Sequence, residues 1–387
     1  MRSHHFDLII VGASFAGLAC ARTAALRGLK VAVLDAKEEP GARVRTTGIM
    51  VKEATDDFDV PAHLMRKVRG VKLYTPNGKS IGLSAPGYYF QTTDTAEMLR
   101  WMAGEAQLAG AQLFFDTRFD GGSEDKNGIV LAKHGVRTRF LIGADGARSR
   151  VAEAFNLGRN KKFLAGLEIE TPPIAQLDPR FLHCFADSKL AAGYIGWAAP
   201  GVSVTQIGVA ATRGTKPELA QLVERLRTMW GLEKLDVVER RSGLIPSGGP
   251  VSKMGRGQVL LIGDAAGVVS PVTGGGIHTA LHFGRRAAQA VGDYLCDRCE
   301  DPVAIFERET PKYRMKLLLR RALDMAPPNA LINLALMTAP MRALAQRLYF
   351  HRRGGDPASF EAWAQAMETN DMEPVAPTPP PTQLRCI

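Results

Sequence analysis

Asp7-Leu-Ile-Ile-Val11, Gly12-Ala13-Ser14-Phe15-Ala16-Gly17, the run Leu18 to Leu29 and Lys30-Val-Ala-Val-Leu-Asp35 follow one another without a break. The order reads as strand, tight turn, helix and strand, a βαβ unit. Gly12 permits the turn, and Gly17 lets the helix pack closely on the strand. The helix start offers free N–H groups and partial positive charge to a pyrophosphate. Ser14 stands where the G-x-G-x-x-G fingerprint has its middle glycine, and it is small enough to keep that approach open. Asp35 ends the second strand, where an acid holds ribose hydroxyls, with Ala36 beside it. The stretch predicts an α/β fold with a dinucleotide site.

One such unit serves FAD and NAD alike, and the rest of the chain separates them. Phe140-Leu-Ile-Gly-Ala-Asp145-Gly146-Ala-Arg148-Ser149-Arg150 and then Gly263-Asp264-Ala-Ala-Gly267 follow in order. They resemble the Asp-Gly and Gly-Asp motifs of flavoprotein hydroxylases and their relatives. The resemblance covers roughly residues 5 to 300. It implies FAD, with the second motif closing beneath the pyrophosphate and Asp264 hydrogen-bonding the cofactor near its ribityl chain. Gly274-Gly275-Gly276-Ile277-His278 then opens a helix whose N-terminus is expected to face the isoalloxazine. Unpaired N–H groups there stabilise the negative charge of reduced flavin, and glycines let the backbone come close.

The residues just past Asp264 distinguish the branches of the superfamily. Aromatic hydroxylases have Gly-Asp-Ala-Ala-His, whereas Gly267 ends the motif here and Thr273-Gly-Gly-Gly-Ile-His-Thr-Ala280 continues it. This pattern is more similar to the geranylgeranyl reductases. Their substrate-domain signature, Tyr-x-Trp-x-Phe-Pro followed by Gly-x-Gly, has a degenerate counterpart in Tyr194-Ile195-Gly196-Trp197-Ala198-Ala199-Pro200 and Gly208-Val-Ala210. Tyr194 is displaced by one position, Ala199 replaces Phe and Ala210 replaces the last Gly. Tryptophan halogenases carry a related Trp-x-Trp-x-Ile-Pro, but Ile195 stands in for their first tryptophan.

Many of these reductases also carry cysteine and glycine after the ribose acid, and Gly41 to Gly48 has no cysteine. Its Arg43 and Arg45 face either a phosphate, an acidic substrate or solvent. Thr95 takes the place of the arginine that often begins the following FAD-contacting helix, which leaves Arg100 as a substitute if the register allows. Tyr194, Trp197 and His278 are the candidate reacting groups, with packing or capping as the alternative for each.

The resemblance implies a FAD-dependent oxidoreductase that saturates carbon–carbon double bonds of a small hydrophobic, isoprenoid-like substrate. An NAD(P)H- and oxygen-dependent hydroxylase on the same scaffold and an inactive flavin-binding protein are the alternatives. No second nucleotide fingerprint is present, so NAD(P)H enters as a transient electron donor.

Composition agrees with a globular enzyme. The chain has 387 residues, 45% of them hydrophobic, enough for a large core. A formal charge of +10 favours acidic partners, but the cations are spread along the chain without zinc-finger or RNA-recognition spacing, which argues against nucleic acid. No metal site is expected. Five cysteines suggest no disulfide framework, and Cys296-Asp-Arg-Cys299 reads as two thiols at a helix end in a reducing, cytoplasmic setting. Met325 to Met341 is uncharged but broken by Pro327, Pro328 and Pro340, so it does not span a bilayer. Leucine and cations at helical spacing around 313–321 and 342–353 fit either a peripheral membrane contact or a solvated basic face. Oligomeric state is not legible.

The expected architecture is a Rossmann-type FAD-binding domain formed by residues 1–69, 90–160 and 250–300. It is interwoven with an antiparallel β-sheet substrate domain of 70–89 and 161–249. A helical C-terminal region, 301–367, and a proline-rich tail, 368–387, complete the chain.

Overall fold

The computed structural model describes residues 4–350, apart from positions 57, 132, 134, 297 and 299. The chain begins with β1 (His4–Val11), α1 (Phe15–Leu26) and β2 (Val31–Leu34). Leu8, Ile9 and Ile10 are sealed from solvent, as the centre of a parallel sheet covered on both faces requires. Two excursions come next: β3 (Ile49–Val51) and β4 (Met65–Val68), then the hairpin β5 (Gly70–Tyr74) and β6 (Ser80–Ser84) turned at Pro76-Asn77-Gly78. β7 (Phe90–Thr93) leads into α2 (Thr95–Leu108), β8 (Gln112–Phe114), the hairpin β9 (Ser123–Asp125) and β10 (Gly128–Leu131), and β11 (Val136–Gly143).

After α3 (Arg150–Ala154), the chain lays down β12 (Phe163–Thr171), β13 (Phe181–Phe185), β14 (Gly196–Pro200), β15 (Thr205–Thr212), α4 (Leu219–Trp230) and β16 (Glu239–Pro246). It returns through β17 (Gly255–Arg256) and β18 (Val259–Leu261) to the long α5 (Ile277–Leu295). Four helices end the described chain: α6 (Pro302–Glu309), α7 (Arg314–Asp324), α8 (Asn329–Ala335) and α9 (Ala339–Phe350).

The first sheet has the order β17-β18-β11-β1-β2-β8, with β10 and then β9 added beside β11. β1 runs parallel to both β2 and β11, and β11 parallel to β18. The three glycine-rich segments come after β1, β11 and β18, so all three leave the carboxyl ends of adjacent parallel strands. That edge is where open α/β sheets bind ligands.

The second sheet is β16-β12-β15-β14-β13-β5-β6, and a small third one is β3-β7-β4. The expectation of antiparallel pairing holds for the second sheet except between β13 and β5, which run parallel. These two strands come from segments separated by most of the first sheet, so no hairpin dictates their direction.

α4 covers one face of the second sheet over Ile169, Phe185, Ile207 and Val209. On the other face, Leu73, Leu182, Cys184 and Ala199 pack with Leu336, Ala345 and Phe350 from the C-terminal helices. Arg320, 2% exposed, ties α7 to this body through the Gly193 carbonyl, and Asp324 of the same helix accepts from both Arg320 and Thr212.

Among the described residues, no helix is long and apolar enough to cross a membrane. Cys296 is disulfide-bonded, against the expectation of a plain thiol, and its motif partner Cys299 lies outside the described residues. The tail and the helical pattern past Phe350 also lie outside them.

Candidate active site

The three motifs meet by backbone contact. Gly12 adopts φ +108°, and a Cβ there would sit 2.3 Å from the Ala144 carbonyl oxygen, just before Asp145. A Cβ on Gly17 would fall 1.8 Å from the Gly12 oxygen, so neither position admits a side chain. Ala16 joins the first motif to the third: its methyl lies 3.0 Å from the notional Cβ of Gly263, and its carbonyl presses on Gly284 of α5. Asn160 joins the second to the third, its Nδ2 donating to the Ala147 and Asp264 carbonyls at 3.1 and 2.8 Å. Gly267 has a left-handed φ of +67°, and Asn160 Oδ1 and the Gly249 carbonyl each lie 2.6 Å from where a Cβ would be, so only glycine fits there. The sequence singled out Gly267 but passed over Asn160, since a lone asparagine outside a motif carries no local signal.

The acids of the motifs are anchored differently. Asp35 Oδ2 accepts from Ala13 N at 2.6 Å and its Oδ1 from Lys37 N at 2.8 Å, so the acid clamps the glycine turn and keeps lone pairs for ribose hydroxyls. Asp145 Oδ2 accepts from the backbone N–H groups of Arg150 and Val151 at 2.6 and 3.1 Å. Its Oδ1 is buried without a partner, and burial holds its carboxyl above the ordinary range. Gly146 comes next at φ +82°. Asp264 is half-buried as a residue, but its carboxyl is enclosed, and burial alone pushes it up to about 6.

Both helix starts facing these motifs lack a side-chain cap. Ser14 is the N-cap of α1 in extended conformation with no hydrogen bond to the first turn, and Gly276 is the N-cap of α5. Phe15 is buried behind the turn. The segment before α5 is a compact loop: Gly274 N donates to the Ser270 carbonyl and Ser270 N to the Gly275 carbonyl, both at 3.0 Å. Ile277 and His278 form the first turn of α5 and are half-buried.

Tyr194 fastens this loop to the second sheet, its hydroxyl donating to the Thr273 carbonyl at 2.5 Å. The Tyr194 oxygen is 2.6 Å from the Cβ position of Gly274, which has φ +64°. Burial pushes the phenol well above its ordinary range, so it stays neutral and acts as a donor. Trp197 lies flat across Gly208, where a Cβ would sit 2.2 Å from the ring, and its Nε1 donates to Glu168 Oε2 at 3.0 Å.

The candidate cations do not join the site. Arg100 pairs with Glu97 at 2.6 Å and Glu39 at 3.2 Å on an exposed surface. Arg43, with a left-handed φ of +47°, reaches Glu38 at 2.6 Å and the Ala36 carbonyl at 3.3 Å, also exposed. Thr95, at the start of α2, packs against Gly48 and Thr93 instead of presenting a charge. Among the described residues no group of His, Cys, Asp and Glu is placed to hold a metal ion.

These residues fit FAD. The glycine contacts leave a cradle that any Cβ would fill, two uncapped helix starts adjoin it, and a buried Asp145 oxygen awaits a partner. The fold and site define a FAD-dependent oxidoreductase. Residues 5–290 match the model of the FAD binding domain family.

The chain is 30% identical over 301 residues to a geranylgeranyl diphosphate reductase from Rhodobacter capsulatus, covering 75% of this chain and 76% of that one. It is 27% identical over 338 residues to digeranylgeranylglycerophospholipid reductase 2 of Methanosphaera stadtmanae, covering 80% and 85%. The crystal structure of a geranylgeranyl bacteriochlorophyll reductase-like protein from Thermoplasma acidophilum shares the fold at TM-score 0.77 and 21% identity, over 96% of this chain and 98% of that one. The chain belongs to the FAD binding domain family, in its geranylgeranyl-reductase-like branch.

Proposed function

We propose that this flavoenzyme adds two hydrogens across carbon–carbon double bonds of a prenyl chain. One observation carries the reading. Gly243, Gly166 and Ala210 are neighbours in register on β16, β12 and β15. Above Gly166 a Cβ would meet only the Ala210 methyl and the Gly243 carbonyl, both at 3.8 Å. This short strip of small residues is roofed at Gly243, where the Arg45 carbonyl lies 2.8 Å from the Cβ position, and it runs from Ile245, whose Cγ2 is 3.5 Å from the Cβ position of Gly274, to Glu168 and Trp197. It suits a slender aliphatic chain better than a hydrogen-bonded ring. The relatives from Rhodobacter capsulatus and Methanosphaera stadtmanae are both named as reductases of geranylgeranyl compounds, which supports the same reading.

Bound FAD supplies a two-electron hydride reductant. On this reading Gly12, Ser14, Phe15, Ala16, Gly17, Asp35, Asp145, Gly146, Gly263 and Asp264 hold the nucleotide and ribityl portions, and Gly274, Gly275, Gly276 and Ile277 adjoin the ring. Tyr194 and Trp197 position the loop and the substrate wall. Residues 1–69, 90–160 and 250–300 form the cofactor domain, 70–89 and 161–249 the substrate domain, and NAD(P)H serves as a transient donor.

A peripheral membrane contact belongs to the same proposal. Met315, Leu318, Met325, Leu331 and Leu334 are 53–78% exposed on α7, α8 and the turn between them, beside exposed Lys312, Arg314 and Arg321.

The test is anaerobic. Reduced enzyme mixed with geranylgeranyl diphosphate is expected to reoxidise its flavin and yield a product heavier by two hydrogens per double bond reduced. Product that instead incorporates labelled oxygen when air is admitted overturns the reading in favour of hydroxylation.

A further inference from the structure

The second sheet gathers three carboxyl groups around one guanidinium, two of them, Glu168 and Glu170, buried and the third, Glu239, partly exposed. Glu168 and Glu170 share a face of β12, and Arg241 and Glu239 stand opposite them in register on β16. Arg241 Nη1 lies 2.7 Å from Glu170 Oε1 and 3.8 Å from Glu168 Oε1, while Nη2 lies 2.7 Å from Glu239 Oε2. Gln206 Nε2 adds a hydrogen bond to Glu170 at 3.2 Å. Two carboxylates therefore take the cation closely, and Glu168 is the one left over.

Glu168 is not idle. Its Oε2 accepts from Thr47 Oγ1 at 2.5 Å and from Trp197 Nε1 at 3.0 Å. Its Oε1 is buried and has no hydrogen-bond partner. Oε2 accepts both donors whether the group is charged or neutral, and on the neutral acid the proton sits on Oε1, the oxygen without a hydrogen-bond partner. Burial holds the carboxyl above its ordinary range and Glu170 adds to the rise, while Thr47, Trp197 and Arg241 pull the other way. Next along the same row is Cys184, with Tyr349 of α9 beside it, and burial raises both groups. Arg45, in the segment of Thr47, is exposed. Thr47 belongs to the stretch in which many reductases carry their cysteine, so that stretch reaches the substrate wall here through a hydroxyl.

Resting on the prenyl-reduction reading, we propose that Glu168, held by Thr47 and Trp197, is the acid that protonates the second carbon of the double bond. One carbon takes the hydride, with both electrons drawn from the reduced flavin and ultimately from a nicotinamide-class donor. The π pair of the alkene forms the other C–H bond with the Glu168 proton as the O–H bond breaks. The carboxylate left behind is stabilised by Thr47, Trp197 and Arg241, and it recovers a proton from water. Burial keeps the proton in place before the reaction, and the two hydrogen bonds lower the cost of giving it up.

Infrared difference spectra of the FAD-loaded enzyme over a pH series provide a readout apart from turnover. A protonated-carboxyl stretch at neutral pH is expected to vanish in Glu168→Gln. In Thr47→Val and Trp197→Phe its titration should move to higher pH, since each substitution removes a donor to the carboxylate. An unchanged band in Glu168→Gln, or no shift in Thr47→Val, overturns the proposal.

In anaerobic single turnover with geranylgeranyl diphosphate, flavin reoxidation in Glu168→Gln should slow by about 10²-fold or more, with partial recovery in Glu168→Asp. If Glu168→Gln fails to retain flavin, the shift in Thr47→Val decides the question. An active wild type with an unaffected Glu168→Gln variant overturns the acid role alone. A wild type inert toward prenyl substrates overturns the reading of function and the acid role with it.

Discussion

The first and second sheets hold their parts of the site in opposite ways. Around the ends of β1, β11 and β18 the contacts are backbone on backbone: Gly12 on the Ala144 carbonyl, Gly17 on the Gly12 carbonyl, Gly284 on the Ala16 carbonyl. Across β12, β14 and β16 they are side chain on side chain, with Thr47, Glu168, Trp197 and Arg241 satisfying one another. A backbone contact tolerates only glycine, whereas a polar network is built from many residue types. The first sheet is therefore sensitive to added volume and the second to removed charge.

The largest effect is expected from Gly17→Val. Its Cβ has no room against Gly12, and no flexible side chain can yield. No flavin-retaining protein should be recovered, as read from flavin absorbance per chain after gel filtration. Normal retention would show that the contact is not what closes the first motif.

Next comes Arg241→Met, which strands Glu168, Glu170 and Glu239 without their cation. A loss of about 3–5 kcal/mol in denaturant unfolding at neutral pH is expected, shrinking in acid as the carboxyls protonate. An equal loss at both pH values would assign the effect to packing.

Asp264→Asn divides stability from function within the first sheet. Burial raises this acid in the folded chain to about 6, so the folded state binds its proton more tightly than the unfolded one. Its contribution to stability is full in acid and is lost as pH rises through about 6. The asparagine variant should thus stabilise the flavin-free protein at neutral pH by up to about 3 kcal/mol, with no gain in strong acid, while its hold on flavin weakens. A variant that retains flavin as well as wild type would remove Asp264 from the cofactor's partners.

The smallest effect belongs to Arg100→Ala. Its ion pairs with Glu39 and Glu97 are exposed, and the free energy of unfolding should change by no more than about 0.5 kcal/mol. Flavin retention should be unchanged. A loss of flavin would mean that this arginine leaves its glutamates to serve the cofactor.

The same division between backbone and side-chain contacts explains how much of the molecule is legible in its sequence. The βαβ unit, the order of the three motifs and the helix after Gly276 come from local pattern, because strand, turn and helix starts each demand particular residues within a few positions. Asn160, which bridges the second and third motifs, and Glu168, 121 residues from its partner Thr47, had no such signal. Where Arg43 and Arg100 reach was not legible for the complementary reason: charge at the expected spacing says nothing of which glutamate will pair with it.

By itself the sequence determined where backbone must pass close to backbone and so where a dinucleotide can lie, because glycine spacing encodes steric demand directly. It also carried the resemblance that separates this branch from the hydroxylases, with Gly267 filled in by Asn160 and Gly249 as its physical basis. Only the tertiary structure decided which side chains flank the small-residue strip of the second sheet. Trp197 reaches Glu168 because Gly208 between them has no side chain, and Tyr194 meets Gly274 because the loop that follows β18, 79 residues on at Thr273, folds back over it. Those meetings depend on strand register between segments distant in sequence, and register is set by the packing of whole sheets rather than by any one stretch.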